Sequence, residues 1–175
     1  MDDHLRFPIG RYIPPSDING EKLQNWIDEI STIPKHVESI VNSLSDKDLA
    51  LTYRPGGWNI RQIVHHLGDS HLNSYIRFKW ALTENSPKIK AYDEAAWAEL
   101  GDSSGPVQTL VDFLKILHVR WTYLMKRMSE EQWERTFTHP QTGKIISLKK
   151  SAGLYAWHGK HHLAHIKLAL GKSIF

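Results

Sequence analysis

The chain contains no cysteine among its 175 residues. It therefore cannot form disulfides, thiolate metal sites, iron–sulfur clusters or a cysteine nucleophile, and only imidazole and carboxylate remain as strong metal ligands. No run approaches the 18 or more apolar residues that a membrane span requires, and the opening MDDHLRFPIG lacks the apolar centre of a secretory signal. We therefore expect a cytoplasmic protein that does not act at a membrane.

An excess of charge of one sign is also missing. The 22 lysines and arginines nearly balance 19 acidic residues, and the net charge of +3 comes from interspersed groups, so we expect no nucleic-acid partner. With 41% hydrophobic residues the composition is that of an ordinary globular protein, and residues 1–175 fit a single domain. The unusual counts are 7 tryptophans and 11 histidines.

The spacing of apolar residues predicts an all-α four-helix bundle. Residues 1–18 contain three prolines and are expected to form an extended arm over the body. A long connection with one short helix at about 93–100 should join helices two and three, and alternation around Gln141, Thr142 and Gly143 predicts a small hairpin before helix four. The four long helices are predicted at about 19–44, with a kink at Pro34, and at 58–83, 106–128 and 148–170.

Four histidines stand within eight residues of helix four. His158 and His162 lie one turn apart on one face, as do His161 and His165, so each pair could clamp a single ion. Both pairs share the face that must pack inward. Because a buried imidazole needs a partner for each nitrogen, a bound cation would satisfy several of them at once. Periodicity alone leaves the choice between the two pairs open.

A third ligand should come from another helix. His66 is the favoured source because it lies on a polar strip of helix two that borders the apolar stripe. Gln62, Asn73 and Arg77 share this strip and are candidate substrate-binding residues, with Arg77 suited to a carboxylate. Asp69 is a candidate base, although an exposed helical aspartate is the more common situation.

Other polar residues have simpler interpretations. Glu94 is a weaker base candidate than Asp69, and His65 is expected to be exposed or bonded to Asp69. The remaining assignments place three histidines on the surface (His4, His36 and His139), two in the core (His71 and His118), and two aromatic residues in a pocket wall (Tyr92 and Trp97).

Several motifs together closely resemble the YfiT-like branch of the DinB superfamily. They are Tyr53–Trp58 (YRPGGW), His65–His71 (HHLGDSH), Tyr155–His158 (YAWH) and His161–Ile166 (HHLAHI). The resemblance covers nearly the whole chain. It implies a four-helix bundle that holds one divalent metal, zinc in the first place and nickel as the alternative, with three histidines.

The resemblance also selects among the histidines. In the wider superfamily the first ligand lies eight residues after the tryptophan and just before a leucine, which is His66 here. The last ligand corresponds to His162, so His158 and His162 are favoured over His161 and His165, which become outer-sphere or alternative ligands. This chain departs from the family pattern at His165, where the family usually has glutamine. YfiT-like proteins are described as metal-dependent hydrolases, are similar to bacillithiol S-transferases and are usually cytoplasmic homodimers.

Three neutral imidazoles would leave a divalent ion an open position, as in catalytic sites. The first hypothesis is therefore a hydrolase that uses metal-activated water on a small molecule. Transfer of a low-molecular-weight thiol to an electrophile is an alternative, since a coordinated thiol is deprotonated. A sensor or carrier without turnover, and a purely structural metal, are the other hypotheses.

Overall fold

The computed structural model describes residues 3–174, most of them helical. In that range the chain runs through α1 (Asp3–Arg6), α2 (Gly20–Val41), α3 (Asp46–Leu49), α4 (Ile60–Thr83), α5 (Glu94–Ala98), α6 (Val107–Met125), α7 (Glu130–Glu134), β1 (Thr136–Thr138), β2 (Ile145–Ser147) and α8 (Leu148–Ala169). A 3-10 turn, Gly101–Ser104, separates α5 from α6. None of the helices in the described part combines the length and the apolar character needed to cross a membrane.

Three of the four long helices begin at polar caps. The side chains of Asn19, Asn59 and Ser147 accept hydrogen bonds from backbone amides three residues later, which satisfies donors that the first helical turn leaves free. The four predicted long helices are confirmed to within three residues at each end. Pro34 lies inside α2, and the helix runs on through it without interruption.

The four long helices form a bundle in which α2 lies diagonally opposite α4, and α6 lies diagonally opposite α8. In the described part of the chain, α2 packs mainly against α6 and α8, and α4 packs mainly against the same two helices. The order around the bundle is therefore α2, α6, α4, α8. Because α4 and α8 are direct neighbours in this order, side chains on their facing surfaces can converge on one point.

Large apolar side chains fill the space between the helices. Trp121, Ile30, Leu67 and Ile166 have no solvent-accessible surface, and Phe78 packs edge to face against Trp121 with the ring centroids 5.5 Å apart. Burying such side chains supplies the main stabilisation, at about 1.5–3 kcal/mol each. The core therefore joins all four helices.

The predicted hairpin is present. β1 pairs antiparallel with β2, with Phe137 opposite Ile146, and Gly143 takes a positive φ of 66° in the turn. The hairpin also holds the long connection, because the Ile89 amide donates to the Thr138 carbonyl at 3.1 Å. Both segments thereby cover the same end of the bundle.

The N-terminal arm differs from the prediction in one respect. Residues 3–6 form one helical turn, α1, since Pro8 lies beyond it and removes none of its hydrogen bonds. The rest of the arm lies over α8, where Trp157 Nε1 donates to the Gly10 carbonyl at 3.3 Å. Residues 1 and 2 of the predicted arm lie outside the described residues.

The close contact between α2 and α8 can be tested by adding one methyl group at Gly159, where α8 meets α2. A Cβ on Gly159 would lie 2.7 Å from Cγ1 of the buried Ile33. We expect Gly159→Ala to lower the free energy of unfolding by about 1–3 kcal/mol through overpacking, measured by urea denaturation.

Gly20→Ala is the matched control, because nothing lies within 4 Å of its Cβ position. It should leave the stability unchanged or raise it by a few tenths of a kcal/mol. Equal midpoints for the two variants would show that α2 and α8 do not approach as closely as described.

Candidate metal centre

Three histidines from two neighbouring helices meet at one point of the bundle. His66 comes from α4, and His158 and His162 come from successive turns of α8; one ring nitrogen of each lies within 4.8 Å of the others. His66 Nε2 is 3.3 Å from His158 Nε2. Two nitrogens bound to one tetrahedral ion at about 2.0–2.1 Å would lie roughly 3.3–3.4 Å apart. The donor set therefore fits a small divalent cation.

Burial keeps these rings neutral. His66 and His162 are less than a tenth exposed. Burial, reinforced by the neighbouring His165, lowers the pKa of His66 to about 4. Burial and the surrounding histidines also hold the pKa of His158 and of His162 well below the usual value. At neutral pH each ring thus keeps a lone pair for a metal.

His161 and His165 form a second group with the shared residue His162. A neutral imidazole has one proton and one lone pair, so His162 cannot serve both groups at once as a neutral ligand. His162 Nδ1 faces His165 Nδ1 at 3.4 Å, which places His165 directly behind His162. His161 stacks on Trp157 with the ring centroids 4.4 Å apart. This arrangement suits outer partners of His162 better than an independent site.

The three-histidine group opens into a cavity of about 490 Å³. Every part of the chain around this end of the bundle contributes to it: the arm, the turn before α4, the long connection, the hairpin and α8. Among the lining residues are Arg6, Phe7, Tyr53, Arg54, Trp58, Ser70, Arg77, Tyr92, Glu94, His139, Gln141, Tyr155 and Trp157. A small organic molecule fits this space.

Arg77 is the buried cation of the cavity. It is 9% exposed, its Nε has no hydrogen-bond partner, and Nη1 lies 3.5 Å from the hydroxyl of Tyr155. No carboxylate of residues 3–174 comes within ion-pair distance of it. A buried guanidinium without a counter-ion is costly, so this position favours a bound anion.

The structure differs from the sequence expectation at His139 and Trp97 and agrees with it at Tyr92. His139 was assigned to the surface, but it lines the cavity and its buried Nδ1 lacks a partner. Tyr92 lines the cavity as predicted, and burial raises the pKa of its hydroxyl. Trp97 instead packs on the outside of Tyr92, with the centroids 4.5 Å apart. Helical periodicity gives no signal for residues in loops and hairpins.

Gln62 and Asn73 do not line the cavity. Gln62 completes the cap of α4 with Asn59, and its Nε2 donates to the Ala98 carbonyl at 3.1 Å. Asn73 Nδ2 donates to the Asp69 carbonyl at 2.8 Å. Both amides already have protein partners, so the expectation that they border the metal site is corrected.

Asp69 and His65 lie on the opposite side of α4, against the connection. Asp69 is half-buried, and burial together with the charge of Asp102 raises its pKa to about 6, yet it does not line the cavity. His65 is buried rather than exposed, and its Nε2 lies 3.3 Å from the Gly105 carbonyl instead of bonding Asp69. The prediction for His65 is wrong because the 3-10 turn covers that face of α4.

The histidines assigned to the core are buried as expected. His71 and His118 are at most 1% exposed, and His71 Nδ1 lies 2.9 Å from His118 Nε2. His71 also reaches the metal-site side of the core, where its Nε2 lies 3.2 Å from His158 Nδ1. The sequence carried no signal for this link, because the residues come from three different helices.

A helical bundle with a buried trio of histidines at the floor of an open cavity defines a class of metal-binding proteins. The family model of the DinB superfamily matches residues 29–166, and the chain belongs to that superfamily. This confirms the resemblance found in the motifs.

Relatives of similar length support the assignment. The chain is 47% identical over 165 residues to “Putative metal-dependent hydrolase YfiT” of Bacillus subtilis, covering 93% of this chain and 92% of that one. It is 46% identical over 165 residues to “Putative metal-dependent hydrolase BH0277” of Halalkalibacterium halodurans, covering 94% and 96%.

Solved structures show the same fold. That of YfiT from Bacillus subtilis, described as a probable metal-dependent hydrolase with an unusual four-helix bundle topology, superposes with a TM-score of 0.93 at 44% identity, covering 97% of this chain and 99% of that one. A mycothiol-dependent maleylpyruvate isomerase shares the fold, with a TM-score of 0.64 at 13% identity over 82% of this chain and 60% of that one.

Burial of neutral histidines makes the metal-free protein sensitive to acid. An unfolded histidine titrates near pH 6.5, whereas burial lowers the pKa of His118 and of His165 to about 4. The buried neutral rings therefore contribute fully to the free energy of unfolding above pH 6.5, and this contribution is lost as the pH falls toward 4. For one fully buried ring such as His118 the loss is about 3 kcal/mol.

We expect the urea midpoint of metal-free protein to fall steadily between pH 7 and pH 5. His36→Gln, which removes an exposed histidine, should show the same profile. A midpoint that stays constant over this range would mean that the buried rings are not held neutral.

Proposed function

We propose that the protein is a divalent-metal-dependent hydrolase acting on a small anionic molecule, with zinc held by His66, His158 and His162. The observation that carries this proposal is the convergence of three neutral imidazoles at the floor of an open cavity. The names of the relatives, as metal-dependent hydrolases, support it. A zinc ion with three protein ligands acts as a Lewis acid and lowers the pKa of a water in its open position to about 7.

Arg77 is proposed to orient the substrate. Its guanidinium is buried in the cavity wall and lacks an anionic partner, so a carboxylate or phosphate on the substrate would supply one. Tyr155 is within 3.5 Å of Arg77 and lines the same cavity, where its hydroxyl can donate to the same anion.

Glu94 takes the role of base in this proposal. It is the carboxylate among the cavity-lining residues, whereas Asp69 faces the other side of α4. A base must reach the proton it abstracts directly or through one water, and only a residue of the cavity meets that condition. Asp69 does not meet it.

Thiol transfer is the second candidate, favoured by the charge of the cavity. Arg6, Arg54 and Arg77 all line it, which suits a low-molecular-weight thiol that carries carboxylates. The same three imidazoles would favour a thiolate, because a divalent cation deprotonates a coordinated thiol. The homodimer and the cytoplasmic location stay predictions.

His66→Ala tests the metal site. We expect zinc in untagged protein to fall from about one per chain to about a tenth of that or less, since two ligands from one helix form a weak site. The measurement is elemental analysis after dialysis against buffered zinc, with circular dichroism to show that the variant remains helical.

His36→Ala, which removes an exposed histidine, is the control and should keep its zinc. Activity of both proteins is then compared on esters, amides and thiol–electrophile pairs. If the wild type turns over none of these substrates but binds a ligand tightly, the protein is a carrier or sensor. Unfolding of the wild type on chelation would indicate a structural metal.

Arg77→Gln tests the anionic substrate. Loss of a charged hydrogen bond costs about 1.5–3 kcal/mol, so kcat/KM for a carboxylate-bearing substrate should fall about 10- to 100-fold, while a neutral analogue should change little. Steady-state kinetics on matched charged and neutral esters provide the measurement.

Arg120→Gln removes an exposed arginine on α6 and serves as the control. An equal loss on charged and neutral substrates in Arg77→Gln would contradict a role in anion binding.

A further inference from the structure

Pro34 leaves a free carbonyl in the middle of α2. Residue 34 has no amide hydrogen, so the Ile30 carbonyl loses the donor that a helix normally supplies four residues later. His118 of α6 approaches this carbonyl, with its Nδ1 2.6 Å from the Ile30 oxygen. A carbonyl only accepts hydrogen bonds, so the proton of this short contact belongs to His118 Nδ1. The opposite tautomer would place two lone pairs against each other.

This one proton position determines the next two. A neutral imidazole carries a single proton, so His118 Nε2 must accept, and its neighbour at 2.9 Å, His71 Nδ1, must donate. His71 Nε2 is then a lone pair and accepts from His158 Nδ1 at 3.2 Å. His158 consequently carries its proton on Nδ1 and a lone pair on Nε2. That Nε2 is the atom that faces His66 Nε2.

We propose that the Ile30 carbonyl, His118 and His71 form a hydrogen-bonded relay that fixes the tautomer of His158, so that its Nε2 lone pair points at the metal site. The inference rests on the proposed function insofar as His158 is a ligand there. His118 and His71 are positioning residues, since neither belongs to the three-histidine group.

The relay explains why the core contains two polar rings where apolar side chains would pack. His71 and His118 stack at a centroid distance of 4.9 Å and lie against Trp121, inside the apolar core. Burying a polar ring without partners costs stability, and here each nitrogen of both rings has one. An outer partner of a ligating histidine fixes its orientation and raises its basicity, and removing such partners typically weakens metal binding 10- to 100-fold.

The first test reads the proton positions directly. In metal-free wild-type protein with 15N-labelled histidine, long-range 1H–15N correlation spectra should show His118, His71 and His158 protonated at Nδ1. His118 or His71 protonated at Nε2 would overturn the inference. Wild-type protein that binds no zinc would overturn the proposed function instead, so the two failures are read separately.

The second test breaks and restores the relay at His118. His118→Leu removes the acceptor for His71, so His71 and His158 should lose their single tautomer, and zinc affinity should fall about tenfold. His118→Gln places a side-chain oxygen where Nε2 was, so it should accept from His71 and restore the affinity to within about threefold. Competition with a chromophoric chelator measures the affinity.

A role in packing alone predicts a different pattern. It would make affinity follow thermal stability in both variants, with no advantage for glutamine, and that result would overturn the proposal. Wild-type zinc affinity in folded His118→Leu would overturn it too. If His118→Leu fails to fold, the spectra of the wild type and of His118→Gln still decide.

Discussion

A neutral imidazole has one proton and one lone pair, and the interior of this bundle must satisfy both on a whole set of buried rings. Water does this for exposed histidines, but seven described histidines are buried here, and His158 is partly buried beside them. The protein supplies backbone carbonyls to three of them: Ile30 to His118, Gly105 to His65, and the N-terminal arm to His165. Other imidazoles face ring nitrogens of His66, His71, His158 and His162. One ring nitrogen each of His66, His158 and His162 meets the others at one point between α4 and α8, and a cation is the ligand that satisfies all three.

The four long helices could be predicted because their apolar residues recur with the helical period, and three of them have caps that are visible in the sequence. The spacing of His158 and His162 likewise follows from helix geometry, and the family motifs chose that pair. Two short helices, α3 and α7, were missed, although each begins with a capping box that the sequence shows. The boxes are formed by Ser45 with Asp48 and by Ser129 with Gln132.

The rest of the site depends on contacts that no local pattern records. Helical periodicity places Gln62 and His65 relative to the bundle core, but it gives no information about the connection that covers the outer face of α4. That segment occupies the Gln62 amide and buries His65. The hairpin likewise brings His139 to the cavity from 73 positions beyond His66 along the sequence. Such placements require the packed structure.

The trio of histidines stands on two helices that the apolar core already holds together. The geometry of the donors therefore exists without an ion, and the open cavity gives an ion a route to it. A preformed set of imidazoles at the floor of an open cavity discriminates poorly among divalent transition metals, since intrinsic affinities follow the Irving–Williams order. Which element occupies it in a living cell would then reflect how much of each metal the cell keeps available.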